Sequence, residues 1–538
     1  MEISVGNSLA LVGPNNVGKS NILSALNLVL SKRYPTYTSI SIDDFHKRRV
    51  FSPIKIFLTF SGLDEEERKH FRAKNRGYMR KKGGQSVRYN YSENLSVCLE
   101  LPFEEPAKFY FVGDDSVPLR YGNHIDGREI FVKSEDRNYF PHLVLIPGLR
   151  DAGKYFSDST RYAWGEIIGN LRGQVNTDEE VKKALKDLTA RISKSADVQN
   201  LNNDIKTYLL EFLTDEHKTI DIFLLPTDPG DLLKTARLVI DDGFECDLGS
   251  KGDGVQSLAV IALLILAAKS DKKLIIGLEE PELFLHPSAL FVLNTAMQKK
   301  STEGQVIYSS HSPFLINVTR PKYIARVFKH NSETGVVQLT EGSHWLTPRG
   351  EDEVERDIDA QRNLLFFARA VVLVEGPTEY LSLPTFADKM GIDLAKKGII
   401  LVEVNGKPNL ARYSRYLSGF EIPHVIVYDI DTEGSSLNKT IEAISAPSFP
   451  MDFDFEEMLI ADLTSEAVNA LLTNAYGEIF TQYKSHHSVR DFSLREQVRR
   501  FLTKAKPFAS KNIAEAIDAD SIPETIRNII RGAVALVE

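Results

Sequence analysis

The sequence predicts an α/β protein with two successive parallel-sheet domains, residues 1 to about 360 and residues 361 to 538. The first observation is an apolar strand that leads into a glycine-rich loop and an amphipathic helix, between Leu9 and Leu30. The second is a new series of apolar strands that alternate with helices after Asn363. Such alternation is typical of parallel sheets, whose ligands lie beyond the carboxyl ends of the strands. A chain of 538 residues is also long enough for two or three domains.

The composition excludes several classes of protein. A formal charge of −9 argues against attraction of nucleic acid over the whole surface, so such a site would need a local basic patch. The cysteines Cys98 and Cys246 are far apart and form neither a disulfide framework nor a zinc-binding pattern. The longest apolar run, Leu258 to Ala268, is too short to span a bilayer, and the first residues do not resemble a signal peptide. We therefore expect a cytoplasmic protein with no membrane attachment.

The first functional motif is a phosphate-binding loop of the G-x-x-x-x-G-K-[ST] type, placed between a strand and a helix as such a loop requires. Its glycines let main-chain N–H groups point at a polyphosphate, and the following helix adds its positive end. Lys19 is expected to reach the β- and γ-phosphates, and Ser20 to hold Mg²⁺. A purely structural glycine turn is the alternative, but strand, spacing and helix together favour binding of a nucleoside triphosphate. The nucleotide-binding residues are Gly13, Pro14, Asn15, Asn16, Val17, Gly18, Lys19 and Ser20.

Two stretches of the first domain leave alternatives open. Residues Ile54 to Phe60 alternate like a strand, and a basic run without acidic residues extends from Arg68 to Arg88. This run either tracks a phosphate backbone or forms a solvated hairpin, since its glycines favour flexibility. Helical periodicity with many charges then indicates a helical insertion at about residues 175–220. This insertion is either a dimer contact or a solvated helical hairpin.

Three further segments carry candidate nucleotide chemistry. A loop rich in glycine and serine, Leu248 to Ser257, contains Gln256 and leads into an apolar helix. A buried strand ends in Glu279 and Glu280, which would place one acid on Mg²⁺ and the next beside the attacking water. Another strand ends at His311, where an imidazole could sense a γ-phosphate. Each signal is weak alone, but their order after a phosphate loop favours function over purely structural roles.

Taken together, Lys19, Gln256, Glu279 with Glu280, and His311 resemble an ABC-type ATPase head. The EEPE-x-x-LHP and SHSP sequences resemble the branch that contains the SMC-type proteins. The resemblance implies that Gln256 belongs to a signature loop, which in this family completes the nucleotide site of a second subunit. It therefore implies ATP as the ligand, a homo-oligomer joined through the heads, and catalytic roles for Glu280 and His311. Glu279 stands where Asp is commoner in the family.

Carboxylates mark the strand ends of the second domain. A buried strand that begins at Ala370 ends in Glu375, and the helix after it carries Glu379. A third strand ends in Asp429 and Asp431, which lie on the same face of that strand. A parallel neighbour would bring Glu375 close to both. Such crowding of carboxylates is tolerated where divalent cations bind between them.

The sequences LVEGPTE from Leu373 and YDID from Tyr428 resemble the Toprim domain of topoisomerases, primases and certain nucleases. An ABC-type head followed by a Toprim domain resembles the OLD (overcoming lysogenization defect) nucleases, a family that includes the large subunit of the Gabija defence system. Downstream, the acidic segment from Asp454 looks like the acid-rich helix motif of this family. Lys506 looks like its lysine motif, with Lys504 as a nearby competitor for that role.

The resemblance implies a metal-dependent DNA endonuclease with bound ATP, Mg²⁺ or Mn²⁺ ions and a place in antiphage defence. DNA is the implied partner, and a separate UvrD-like helicase subunit is a further candidate. Two alternatives stay open: an ATP-gated DNA clamp or sensor that does not cut, and a topoisomerase-like transesterase. The second would need a nucleophilic tyrosine on a winged-helix domain, and no such domain is apparent in the sequence. The implied metal ligands are Glu375, Glu379, Asp429, Asp431 and Glu456, with Lys506 on the scissile phosphate.

Overall fold

The computed structural model divides into two compact units, each of which is described by itself. One unit comprises Met1–Gly18 and Ser310–Glu538, and the other comprises Lys19–Ser309. The domain boundary predicted near residue 360 falls in 340–361, outside the described residues, and stays a prediction. The structure describes residues 2–31, 40–74, 79–82, 85–88, 94–113, 118–119, 130–148, 187, 191, 194–210, 219–223, 237–241, 243, 245–247, 250–256, 258–259, 273–283, 285–301, 304–316, 321–330, 333–339, 362–430, 435–451, 465–477, 479–480, 482 and 508–538.

The described strands are numbered in chain order. They are β1 Ser8–Val12, β2 Ile54–Phe60, β3 Met79–Lys82, β4 Gln85–Arg88, β5 Leu95–Leu101, β6 Lys108–Val112, β7 His142–Ile146, β8 Thr219–Phe223, β9 Arg237–Asp241, β10 Glu245–Asp247, β11 Leu274–Glu279, β12 Gln305–Ser310, β13 Ile324–His330, β14 Glu333–Gln338, β15 Ala370–Val374, β16 Ile399–Glu403, β17 His424–Asp429 and β18 Ser448–Met451.

The helices of the described residues are of two kinds. The α-helices are Lys19–Leu30, Glu65–Lys74, Ser134–Arg137, Ala196–Leu210, Pro287–Ser301, Pro313–Ile316, Pro377–Lys389, Lys407–Gly419, Ser436–Glu442, Ser465–Tyr476, Phe508–Ala516 and Glu524–Ala535. Short 3-10 helices are Ile42–Asp44, His46–Arg48, Pro321–Tyr323, Arg362–Phe367 and Ala519–Ser521. Within the described part of the chain, no helix has both the length and the apolar character needed to cross a membrane.

The unit Lys19–Ser309 contains a parallel sheet with the strand order β7-β11-β12. The central strand β11 is buried along its apolar part, which is typical of a strand covered on both faces. Its last residue, Glu279, is half-buried, so the predicted acidic strand end is confirmed. The helix Lys19–Leu30 packs against β7 and β11. This packing brings the start of the helix to the carboxyl end of the sheet.

The other described strands of this unit are antiparallel. They form the sheets β2-β5-β6 and β8-β9-β10 and the hairpin β3-β4. The strand predicted at Ile54–Phe60 is confirmed as β2. The described part of the basic run from Arg68 to Arg88 lies in the helix Glu65–Lys74 and in the strands of the hairpin, and its binding role stays a prediction. The predicted helical insertion contains the helix Ala196–Leu210.

The unit formed by Met1–Gly18 and Ser310–Glu538 contains two sheet regions. In the first, β1 lies parallel to β13, and β13 pairs antiparallel with β14. In the second, four strands are parallel in the order β16-β15-β17-β18. The parallel sheet predicted for the second domain is therefore confirmed.

Helices cover both faces of this four-stranded sheet. On one face Val372 and Val425 pack with residues such as Phe386, Ile513 and Ile526 in one apolar core. On the other face the helix Lys407–Gly419 contacts β15 and β17. Fully burying each such large apolar side chain stabilises the fold by about 1.5–3 kcal/mol. The two apolar layers hold the strand ends, where the carboxylates lie, in fixed positions.

Candidate nucleotide and metal sites

The phosphate loop is held by close contact with β13 and β14. Gly13 has φ 144°, and a Cβ there would overlap the main-chain oxygen of Val327. Gly18 has φ 107°, and a Cβ there would lie 2.9 Å from Thr334 Oγ1. The Thr334 hydroxyl also donates a hydrogen bond to the Val17 carbonyl over 2.9 Å. Only glycine combines these backbone angles with this lack of space, so this loop conformation requires glycine at both positions.

Lys19, the first residue after the loop, is only 5% exposed. Burial lowers the pKa of its ammonium group to about 8, while the charges of Glu280 and Glu282 act in the opposite direction. A polyphosphate would supply a strong anionic partner for this ammonium group. Glu282 is a residue that the sequence interpretation missed. It belongs to the same EEPE sequence as the two predicted acids and could have been recognised there.

Glu279 lies in contact with Ser20, the hydroxyl predicted to hold Mg²⁺. Burial raises the pKa of the Glu279 carboxyl group, whereas hydrogen bonds from the Ser20 hydroxyl and the Gly148 main chain lower it. Glu280 has φ 42°, a conformation rare outside glycine, and its N–H donates to the Ser309 carbonyl over 3.0 Å. Strained backbone of this kind clusters at functional sites. A hydroxyl and a carboxylate in contact fit Mg²⁺, which takes oxygen ligands.

Gln256 and His311 lie in different units, and each is described by its own surroundings. Gln256 is 8% exposed and donates from Nε2 to the Lys251 carbonyl over 2.7 Å, which closes its own loop. His311 directly follows β12, one residue beyond the strand end, and its ring centroid lies 6.4 Å from that of Phe367. The roles predicted for both residues, in a second subunit's site and at a γ-phosphate, stay predictions.

The candidate metal site lies at the carboxyl edge of the four-stranded sheet. Glu375 directly follows β15, and Asp429 is the last residue of β17, which pairs with β15 in parallel. The Asp429 N–H donates to Glu375 Oε1 over 2.8 Å. The structure therefore brings these two predicted residues together. Their carboxylate oxygens fit Mg²⁺ and Mn²⁺, since both ions take oxygen ligands.

Glu379 has a structural partner at the same edge. It is 4% exposed and lies in the first turn of the helix Pro377–Lys389. One oxygen, Oε2, accepts a hydrogen bond from the Gly376 N–H over 3.2 Å. A carboxylate at this position caps the helix and complements its positive end. The metal-binding role predicted for Glu379 stays a prediction beside this capping role.

Several predicted site residues lie outside the described residues. These are Asp431, Glu456, Lys504 and Lys506. Among the residues that are described, no group of three or more His, Cys, Asp or Glu side chains is placed to hold a metal ion. The convergence of further carboxylates on Glu375 and Asp429 therefore stays a prediction.

Lys407 is a buried cation at this edge that the sequence interpretation did not assign. It is the first residue of the helix Lys407–Gly419 and donates from Nζ to the Asp429 main-chain carbonyl. Its ammonium group lies 5.5 Å from the centroid of the Tyr428 ring. The sequence signal was a Gly-Lys-Pro segment that opens a helix after a strand, which alone does not indicate a site.

Two family models match the chain. One, described as "AAA domain, putative AbiEii toxin, Type IV TA system", matches residues 8–317. The other, described as "Overcoming lysogenization defect protein-like, TOPRIM domain", matches residues 366–431. These matches and the parallel sheets confirm the predicted fold class, an α/β ATPase domain followed by a Toprim domain.

Curated relatives align with most of the chain. An OLD nuclease of Thermus scotoductus is 26% identical over 450 residues, which cover 80% of this chain and 79% of that protein. Endonuclease GajA of Bacillus cereus is 23% identical over 508 residues, 90% of this chain and 83% of that protein. The Old nuclease of Escherichia phage P2 is 23% identical over 454 residues, 78% and 73% of the two chains. Since the first model covers more than half of the sequence, the chain belongs to this AAA-domain family and carries an OLD-like TOPRIM domain after it.

Proposed function

We propose that this chain is an ATP-binding, nucleotide-regulated DNA endonuclease of the OLD type. The observation that carries the proposal is the contact between Asp429 and Glu375, which brings two carboxylates to one edge of a parallel sheet. Ligands of such sheets bind beyond the carboxyl ends of the strands. Relatives named OLD nuclease and endonuclease GajA align over most of the chain, which supports phosphodiester hydrolysis as the reaction.

In this proposal Glu375, Asp429, Asp431 and Glu456 hold divalent cations. Two such ions supply an activated water and stabilise the leaving oxygen of an in-line displacement. The chain's own contribution is to fix the ligand oxygens, since both described carboxylates are attached to the ends of buried strands. Lys506 neutralises charge on the scissile phosphate, and Glu379 assists from the neighbouring helix.

The proposed ATP site includes Lys19 and Ser20, which lie in the same unit as the carboxyl end of β11. Lys19 binds the β- and γ-phosphates, and Ser20 with Glu279 holds Mg²⁺. The contact between Ser20 and Glu279 supports this assignment. Glu280 lies beside the attacking water and acts as the catalytic acid–base residue of the ATPase. Its left-handed backbone supports a functional role.

Further parts of the proposal follow from the family resemblance. His311 senses the γ-phosphate, and Gln256 completes the nucleotide site of a second subunit, so the heads form a homo-oligomer. The protein acts on DNA in the cytoplasm as part of antiphage defence. A separate UvrD-like helicase subunit is a candidate partner.

The direct test is incubation of the purified chain with supercoiled plasmid and Mg²⁺ or Mn²⁺, with and without ATP. The proposal predicts nicked or linear DNA that depends on the divalent ion and changes in amount with ATP. Binding of DNA in an ATP-dependent way without cleavage under any of these conditions would instead support an ATP-gated clamp or sensor. A covalent protein–DNA adduct would support the transesterase.

A further inference from the structure

Lys407 occupies a position that disfavours a lysine. It begins the helix Lys407–Gly419 and is 6% exposed. The N-terminal end of a helix carries partial positive charge, so a cation there is destabilised. Burial adds a desolvation cost, and lysine is among the residues least often buried. The residue therefore needs partners that offset both costs.

These partners lie at the carboxyl edge of the sheet. The Lys407 ammonium group donates to the Asp429 main-chain carbonyl and lies over the Tyr428 ring. Asp429 in turn donates its N–H to the Glu375 carboxylate. The main-chain carbonyl of Glu375 accepts a hydrogen bond from the N–H of Gly406, the neighbour of Lys407, over 2.7 Å. The contacts therefore run from the first residue of the helix after β16 to the end of β17, then to the residue after β15, and back to the loop before the helix, so they form a closed set.

The backbone before Lys407 is shaped to complete this set. Asn405 has φ 56° and Gly406 has φ 106°, so two successive residues adopt left-handed conformations. Asn405 in this region is uncommon for a residue other than glycine. The turn directs Gly406 to Glu375, and Pro408 follows at the start of the helix, where its fixed φ fits. Local strain is thus concentrated where the chain delivers Lys407 to Asp429.

We propose that Lys407 is a positioning residue of the metal site. By holding the Asp429 carbonyl, it fixes the strand end that presents the Asp429 carboxylate beside Glu375. The inference rests on the proposed metal-dependent function of this edge. Removal of residues that orient metal ligands usually lowers metal affinity or activity by about 10–100-fold. Lys407 acts through Asp429, so its loss should weaken metal binding in the absence of any DNA.

The test uses the full-length, nucleotide-free chain and Mn²⁺ alone, with affinity measured by titration calorimetry. Asp429→Ala defines which part of the Mn²⁺ signal belongs to this edge. Lys407→Met keeps a side chain of similar length without a donor. It should lower the Mn²⁺ affinity of this Asp429-dependent component at least about tenfold. Lys389→Met is the matched control, because Lys389 donates to the main-chain carbonyls of Glu515 and Ile517. This control should bind Mn²⁺ like the wild type.

Unchanged Mn²⁺ affinity of Lys407→Met at a wild-type melting temperature would overturn the inference. Tighter binding would overturn it too, since the ammonium group would then only compete with the metal. If Lys407→Met melts early, Lys407→Gln is titrated instead: its amide keeps an N–H donor but lacks the charge and one bond of length, so an intermediate loss of Mn²⁺ affinity is expected, and wild-type affinity would overturn the inference. A wild-type Mn²⁺ signal in Asp429→Ala would instead contradict the proposed metal site itself.

Discussion

Lys19 shows at the residue scale how burial sets the conditions for nucleotide binding. Its ammonium group has a pKa of about 8 in the folded chain, against an ordinary value of 10.5. Between these values the nucleotide-free folded chain binds fewer protons than the unfolded chain, so this residue's contribution to stability increases as pH rises. ATP affinity depends on pH in the opposite direction: it falls as pH rises, because the phosphates bind the charged form of the Lys19 ammonium group.

We therefore predict that ATP affinity falls above pH 8, by up to tenfold per pH unit, as binding comes to require uptake of one proton. Lys19→Arg should flatten this dependence, since a guanidinium group stays charged. Lys19→Ala should remove most ATP binding at every pH. Binding of labelled ATP between pH 7 and 9.5 measures all three. Wild-type binding by Lys19→Ala would rule out the assignment of this loop.

Glu379 combines two candidate roles that one pair of substitutions separates. Glu379→Gln retains an acceptor for the Gly376 N–H, so the helix start should stay capped and the melting temperature should change little. Glu379→Ala removes the acceptor and should cost about 1 kcal/mol of stability. If Glu379 also holds metal, both variants should lose plasmid cleavage. Full cleavage by Glu379→Gln would leave this residue with the capping role alone.

At the scale of elements, the helix Lys407–Gly419 is bound at both of its ends. Lys407 contacts the Asp429 carbonyl at the start. At the other end, the buried Arg326 on β13 donates to the Phe420 and Glu421 carbonyls over 3.0 and 2.9 Å. A cation at the end of a helix is favoured by the helix dipole and satisfies its last carbonyls. Val12, the residue before the phosphate loop, pairs with Arg326 in the adjacent strand.

Arg326→Met should therefore lower stability by about 1.5–3 kcal/mol, because one buried and one partly buried carbonyl lose a charged donor. For a unit of this size the melting temperature should fall by about 3–12 °C. Arg369→Met is the matched control, since the exposed Arg369 donates to a single carbonyl, that of Val537. Thermal unfolding followed by circular dichroism measures both. Equal melting temperatures of the two variants would show that the Arg326 hydrogen bonds stabilise the fold no more than the exposed Arg369 hydrogen bond does.

The sequence indicated the strands well and the contacts between them poorly. Apolar runs ending in acids identified β11, β15 and β17, because a strand buried on both faces needs uninterrupted apolar residues. The Lys407 contact escaped prediction because it joins residues 22 positions apart across a strand crossover. The contact of Gly148 with Glu279 was not predicted because it is made by the main-chain N–H of Gly148, and a main-chain group gives no signal in the sequence.

At the scale of the whole molecule, one chain carries an AAA-domain match and a TOPRIM match. If nucleotide state regulates the second site, Glu280→Gln should bind ATP without turning it over and should change the rate of DNA cleavage. Its half-buried place directly after β11 and its left-handed backbone support a functional role at this position. Plasmid cleavage by wild type and Glu280→Gln over a series of ATP concentrations measures the effect. Identical curves would show that the ATPase domain does not regulate cutting.

We propose that the sheet edge with Glu375 and Asp429 is where DNA is cut. Carboxylates grouped at one sheet edge repel one another unless cations bind between them, so a purely structural role for Asp429 and Asp431 is disfavoured. The fold should survive their removal, because acids at an open strand end contribute little to the core.

The most direct measurement compares plasmid nicking and linearisation by wild type and the Asp429→Ala, Asp431→Ala double variant in Mg²⁺ or Mn²⁺. The two proteins are first shown to have equal ATP affinity and equal melting temperature, so that a difference in cleavage reports on the substituted carboxylates. We expect cleavage by the wild type and none by the double variant. Persistent cleavage by the double variant would show that DNA is cut elsewhere in the protein.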